Sequence, residues 1–289
     1  MRGPTNSSKE TSPRSRRPAL PIPREHGAYG ILLQPLLMGL FVLPTPGGTA
    51  FPFGAAMALA ILAGFLAEPG LEGLLASRGR DRAAVAWTLG LTGLGLVLGM
   101  WLLSAGRWWL IAYGVLVLVA GAARWWLTRS GQSHSVVAEF LGVVGLTAAG
   151  PAVVYAASGR LSAATFWFWL ILVLYFAGPI FYVKMRVRQR ARRQTAGTGT
   201  PRGTATLGPW AGATLAYHWS AFILVTILAW RDAVPGATPL AFLPFLAKAT
   251  LTALWPPRPE RFDVRRLGWT EAALGLVFAA LIIAVYRLR

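Results

Sequence analysis

Apolar blocks of membrane-crossing length recur nine times along this chain, and nothing else in it constrains the fold as strongly. A helix needs about 20 predominantly apolar residues to cross the hydrocarbon core. Inside that core the backbone must satisfy its own hydrogen bonds, which leaves helices and closed barrels. The blocks run roughly 27–44, 51–67, 84–103, 107–127, 136–157, 162–183, 208–230, 235–254 and 269–286. They are long apolar runs rather than short alternating segments, so the expected fold is all-α, a polytopic transmembrane bundle of about nine helices. Residues 1–22 form a polar tail rich in Ser, Pro and Arg, expected to be disordered and lacking a signal-peptide core. Residues 23–289 read as a single transmembrane domain, with a loop at 184–207 that carries a Gly/Thr-rich linker. No internal repeat is evident.

Charge gives the orientation. The chain holds 28 Lys+Arg against 10 Asp+Glu, a net charge of +18. In a soluble protein that balance would point to nucleic acid, but here 55% of the residues are hydrophobic and the basic ones fall in alternate loops. With the N terminus inside, the cytoplasmic segments hold 22 basic residues and the outer ones 5. This is the positive-inside pattern, and it predicts an N-in, C-out topology. The implied partner is the bilayer and its anionic headgroups, not nucleic acid. No protein partner is indicated. The chain has no cysteine, which excludes disulfides and thiolate chemistry.

Polar groups at membrane depth are costly and usually face a bundle interior or a wet cavity. The first block opens with Arg24-Glu25-His26 and carries Gln34, spaced from His26 and Gly30 in steps of four on one helical side. Further acids sit at span mouths: Glu68, Glu72, Glu139 and Glu271. Glu68 and Glu72 share a face unless Pro69 and Gly70 break the helix. As single residues, Glu139 and Glu271 could equally cap helix N-termini, and Gln34 could join two helices. His134 falls in a loop and is expected to be solvated. His218 lies about ten residues, roughly 15 Å, into the seventh span. Lys248 lies within the eighth, where its stem could snorkel to the interface. Lys184 and Arg186 begin the basic run that leaves the sixth span. A haem between His26 and His218 is disfavoured by their unequal depths. No carboxylate stands at ligand spacing from either histidine, so no metal site and no cofactor are expected.

PREHGAYGILLQPLLMG, FYVKMRVRQR, YHWSAF, LPFLAKA and RRLGWTE follow one another along the chain and resemble successive blocks of the YwiC-like family of bacterial membrane proteins. The resemblance implies a multi-pass protein of the bacterial cytoplasmic membrane and carries no activity. In layout the chain is also similar to UbiA-type intramembrane prenyltransferases, which hold magnesium on paired Asp motifs after spans two and six. Here the second-span loop has Glu68, Glu72 and Asp81, and the sixth-span loop has Lys184, Arg186 and Arg188 with no carboxylate. Half the ligands of a two-magnesium site are missing.

These residues predict a cytoplasm-facing polar cavity lined by Glu25, His26, Gln34, Glu68, Glu139, Lys184, Arg186, His218 and Lys248. It would take an amphipathic anionic molecule, isoprenoid- or lipid-like, with its head among the cations. The histidines could act as bases, but no catalytic nucleophile or leaving-group site is identified. A small secondary transporter using intramembrane Glu and His, and a non-catalytic accessory subunit, are the competing readings.

Overall fold

The apolar blocks are helical. The computed structural model describes residues 26–42, 50–77, 82–195, 208–255 and 263–288, without the side chains of 26–28, 72, 73, 75–77, 192–195 and 264. The basic tail, Glu25 and the Gly/Thr-rich linker lie outside the described residues. The helices are α1 (His26–Phe41), α2 (Phe51–Ser77), α3 (Arg82–Ser104), α4 (Leu110–Arg129) and α5 (Val136–Thr147). They continue with α6 (Ala149–Ser158), α7 (Ala163–Thr195), α8 (Pro209–Trp230), α9 (Leu243–Leu254) and α10 (Val264–Arg287). A short 3₁₀ turn, Thr238–Phe242, leads into α9.

Among the described residues seven helical stretches are long and apolar enough to cross a membrane, with α5 and α6 counting as one, Val136–Ser158. Tyr29–Phe41 and Thr238–Leu254 are shorter apolar helical stretches. These nine segments correspond to the nine apolar blocks of the sequence. Ala148 alone separates α5 from α6, where Pro151 has no N–H to offer the Thr147 carbonyl. Pro69 has the opposite outcome. Helix α2 continues through it to Ser77, so Glu68 and Glu72 do lie on one continuous helix. Trp87 on α3 donates from Nε1 to the Leu66 carbonyl at 2.8 Å, bracing the turn that Pro69 loosens.

Bare backbone sets the closest helix approaches. A Cβ on Gly39 would stand 2.6 Å from the Gly150 carbonyl oxygen, and one on Gly150 would stand 2.7 Å from Leu172 Cδ1. Helices α1, α6 and α7 therefore meet at glycine, as small residues permit in membranes. Helix α7 is the centre of the bundle: 56% of its span is buried, against 11% for α3 and α4. Those two outer helices present Leu96, Val97, Met100, Leu118 and Trp126 outward, a surface that hydrocarbon solvates without cost.

The first and last helices lie side by side. Gln34 on α1 donates to the Ala272 carbonyl on α10, and Arg287 Nε donates to the Phe41 carbonyl at 2.7 Å. Both helices thus run in the same direction, which an odd number of crossings requires. Helix α2 returns antiparallel, with Phe65 against Tyr29 at 5.2 Å between ring centroids.

Candidate functional site

Helices α7, α8, α9 and α10 meet at a corner where each contributes one stripe of side chains. On α9 the stripe is Phe245, Lys248, Ala249 and Thr252, at spacings of three and four. On α7 it is Tyr175, Gly178 and Tyr182; on α10 it is Glu271, Gly275, Phe278 and Ile282. Tyr175 stacks flat on Phe278, 3.6 Å between centroids, and Phe242 meets both rings edge-on.

Lys248 and Glu271 form an ion pair in this setting, with side-chain exposures of 21% and 15%. The Lys248 ammonium also lies 4.5 Å from the Tyr182 ring centroid and 5.7 Å from that of Phe245. Tyr182 is tied in turn to Thr252, 3.3 Å between hydroxyl oxygens. A cation held by one carboxylate and two aromatic faces is compensated without solvent. The snorkelling geometry expected for an isolated lysine is replaced by this internal pairing.

His218 lies one ring further along. It is 6% exposed and meets Phe245 edge-on at 4.7 Å. Its Nδ1 is 2.7 Å from the Thr214 carbonyl oxygen, while its Nε2 is buried and has no hydrogen-bond partner among the described residues. Thr214 is fixed by donating its hydroxyl to the carbonyls of Trp210 and Phe181. His218 forms part of the wall of a narrow crevice with Tyr175, Tyr217, Phe242, Phe245 and Leu246, with room for about one water molecule.

A second polar cluster sits on another face of α7. Lys184 pairs with Glu139 at 2.9 Å and donates to the His134 carbonyl at 2.6 Å. Glu139 stands in the first turn of α5, where the helix dipole favours a carboxylate, and Ser135 supplies the cap to that helix. Arg186 reaches Gln189 at 3.4 Å, and Arg188 lies over Trp210 at 4.7 Å. The two clusters separate because Tyr182 and Lys184 are two residues apart on a helix, about 200° around its axis.

The sequence-predicted residues are therefore distributed as pairs. Gln34 reaches α10 at Ala272, beside Glu271, donating from Nε2 at 3.3 Å; its buried Oε1 has no partner among the described residues. Gly275 gives the amide room, since a Cβ there would stand 2.7 Å from Nε2. Glu139 joins Lys184, and Lys248 joins Glu271. His218 lines the crevice, whose wall includes none of Gln34, Glu139 and Lys184. Glu68 is exposed on α2. Glu25 and the side chain of His26 lie outside the described residues. His134 is exposed, and its carbonyl rather than its ring holds Lys184.

Among the described residues no three His, Asp or Glu side chains are grouped to hold a metal ion. The partner of Lys248 was the residue sequence reasoning left out of its site. A signal existed: Lys248 precedes the α9–α10 connection by about as many residues as Glu271 follows it, which places the two charges at equal depth on antiparallel neighbours.

A bundle of apolar helices with ionisable side chains paired in its interior defines the class: an integral, multi-pass membrane protein of the lipid bilayer. Residues 22–154, a stretch that reaches from before α1 into α6, match the family described as YwiC-like protein. The α7–α10 corner follows the matched stretch. No match was found among curated proteins or among solved structures.

Proposed function

We propose that this YwiC-like protein binds an amphipathic molecule with an anionic head, seated where α7, α8, α9 and α10 meet. The observation that carries this reading is the Lys248 ammonium, held inside the bundle by Glu271 and the rings of Tyr182 and Phe245. An anionic head can take the place of the Glu271 carboxylate at Lys248 and leave the cation compensated throughout. The apolar remainder then lies against the aromatic stripe of Tyr175, Phe242 and Phe245, which suits a lipid- or isoprenoid-like tail. The nine-span layout, similar to that of UbiA-type prenyltransferases, is consistent with such a tail by analogy.

The same reading orients the protein. The basic end, with Lys184, Arg186 and Arg188, faces the cytoplasm of a bacterial inner membrane and attracts anions to the mouth. Glu25, His26, Glu68 and Glu139 belong to that end and Gln34 to the adjoining α1–α10 seam, so the proposed approach to the corner is polar. The test is mass spectrometry of small molecules that copurify with the protein in mild detergent. An anionic amphiphile should accompany the wild type and be depleted at least about tenfold in Lys248→Met, while Lys184→Met retains it. Equal retention by Lys248→Met, or a companion without an anionic group, overturns the assignment.

A secondary transporter is the second reading, favoured by the Lys248–Glu271 pair and the uncompensated Nε2 of His218 within spans. Uptake into proteoliposomes driven by a proton gradient and lost in Glu271→Gln would select it.

A further inference from the structure

His218 is held in one tautomeric sense by its backbone partner. The Thr214 carbonyl can only accept, so the ring nitrogen 2.7 Å away, Nδ1, must carry a proton. In the neutral ring Nε2 is then a bare lone pair, buried and without a hydrogen-bond partner among the described residues, on a side chain that lines the crevice. A buried acceptor without a donor is unfavourable, and none of the described residues donates to this one. The Tyr217 hydroxyl, the nearest candidate on the same helix, is committed to the Leu174 carbonyl at 2.9 Å. On α7, Pro179 has no N–H to give the carbonyl of Tyr175, a residue of the crevice wall.

Glycine stands beside the rings of His218 and Phe245. Gly178 presents bare backbone to both rings: a Cβ there would stand 3.0 Å from His218 Nε2 and 2.6 Å from Phe245 Cε1. Any other residue would crowd the Nε2 edge of His218 and the Phe245 ring. An acceptor-lined gap with aromatic walls and water-sized room selects a hydrogen-bond donor that is small at its tip. A hydroxyl on a slender unbranched chain meets that description, and a ring-bearing donor does not.

We infer that the crevice between α7, α8 and α9 is a hydroxyl subsite, in which His218 Nε2 accepts the O–H of an alcohol-type group on the bound amphiphile. The inference rests on the reading of the corner as an amphiphile site and adds that its ligand carries a hydroxyl as well as an anionic head. Phe245, which touches both Lys248 and His218, stands between the two subsites.

The test uses the full chain in lipid nanodiscs with ¹⁵N-labelled histidine, the His218 resonances being assigned by their loss in His218→Phe. Three probes share one chain length: 1-octanol, octane and octyl phosphate, compared at matched concentrations in the bilayer. 1-Octanol should move the Nε2 resonance toward its hydrogen-bonded position and bind about fivefold to tenfold better than octane. That preference should vanish in His218→Phe, whereas octyl phosphate should bind His218→Phe and fail to bind Lys248→Met. An Nε2 resonance already hydrogen-bonded without probe and unmoved by 1-octanol identifies a structural water only and overturns the inference. If octyl phosphate still binds through Lys248 in that case, the amphiphile reading survives without the hydroxyl subsite. If neither probe binds, both fail. Because the decisive shift is read on the wild type, the result does not depend on a variant folding.

Discussion

Lys248 and Glu271 show what a single side chain can decide within a membrane span. Each is about four-fifths enclosed, and each compensates the other. Removing one partner leaves a charge that neither lipid nor the aromatic wall can solvate. Lys248→Met or Glu271→Gln alone should therefore lower stability by about 3 kcal/mol in detergent. The double replacement should recover most of that loss, because no stranded charge remains. Thermal unfolding of the four proteins measures the coupling, and strictly additive losses would show that the pair contributes nothing as a pair. The Lys184–Glu139 pair makes a useful contrast, since Glu139 is 32% exposed at the end of its helix. Glu139→Gln should cost no more than about 1 kcal/mol by the same measurement.

At the scale of helices, packing is governed by where Cβ atoms are absent. The α1–α10 seam closes because Gly275 leaves space for the Gln34 amide, which in turn reaches the Ala272 carbonyl. Gly275→Ala should destabilise the protein by about 1–3 kcal/mol through overpacking. The same change made with Gln34→Ala should cost far less, since the obstructing amide is gone. A double-mutant cycle followed by unfolding in detergent tests this, and an undiminished penalty in the Gln34→Ala background would locate the clash elsewhere. Gly39→Ala has no comparable rescue, because its Cβ would meet backbone, the Gly150 carbonyl at 2.6 Å, which no side-chain truncation removes.

For the whole molecule, α1 and α10 run parallel, so the start of α1 and the end of α10 lie at opposite ends of the bundle. Combined with the 22-to-5 basic asymmetry, it yields a directional expectation. A reporter fused after Arg289 should be external, and one inserted within 195–206 should be cytoplasmic. A cytoplasmic signal from the C-terminal fusion would require an even number of crossings and contradict the parallel seam.

Much of this was legible in the chain itself. The helical class and the succession of apolar helical segments follow from block length and hydrophobicity, because lipid leaves the backbone few other ways to bond. The residues that matter at the corner were visible too, since His218 and Lys248 are costly at any depth and so stand out against leucine and alanine. Which of them meet was not legible. His218 points into an aromatic crevice and Lys184 toward α5 because of rotations about helix axes, and apolar runs that carry no amphipathic stripe do not encode a rotation. The continuation of α2 through Pro69 was likewise not legible, and beside that turn the Trp87 indole of a neighbouring helix donates to the Leu66 carbonyl. Sequence alone determined that the protein crosses the membrane repeatedly and carries polar groups into it. Tertiary structure decided their partners, because partner choice depends on helix facing and on glycine contacts between segments far apart in the chain.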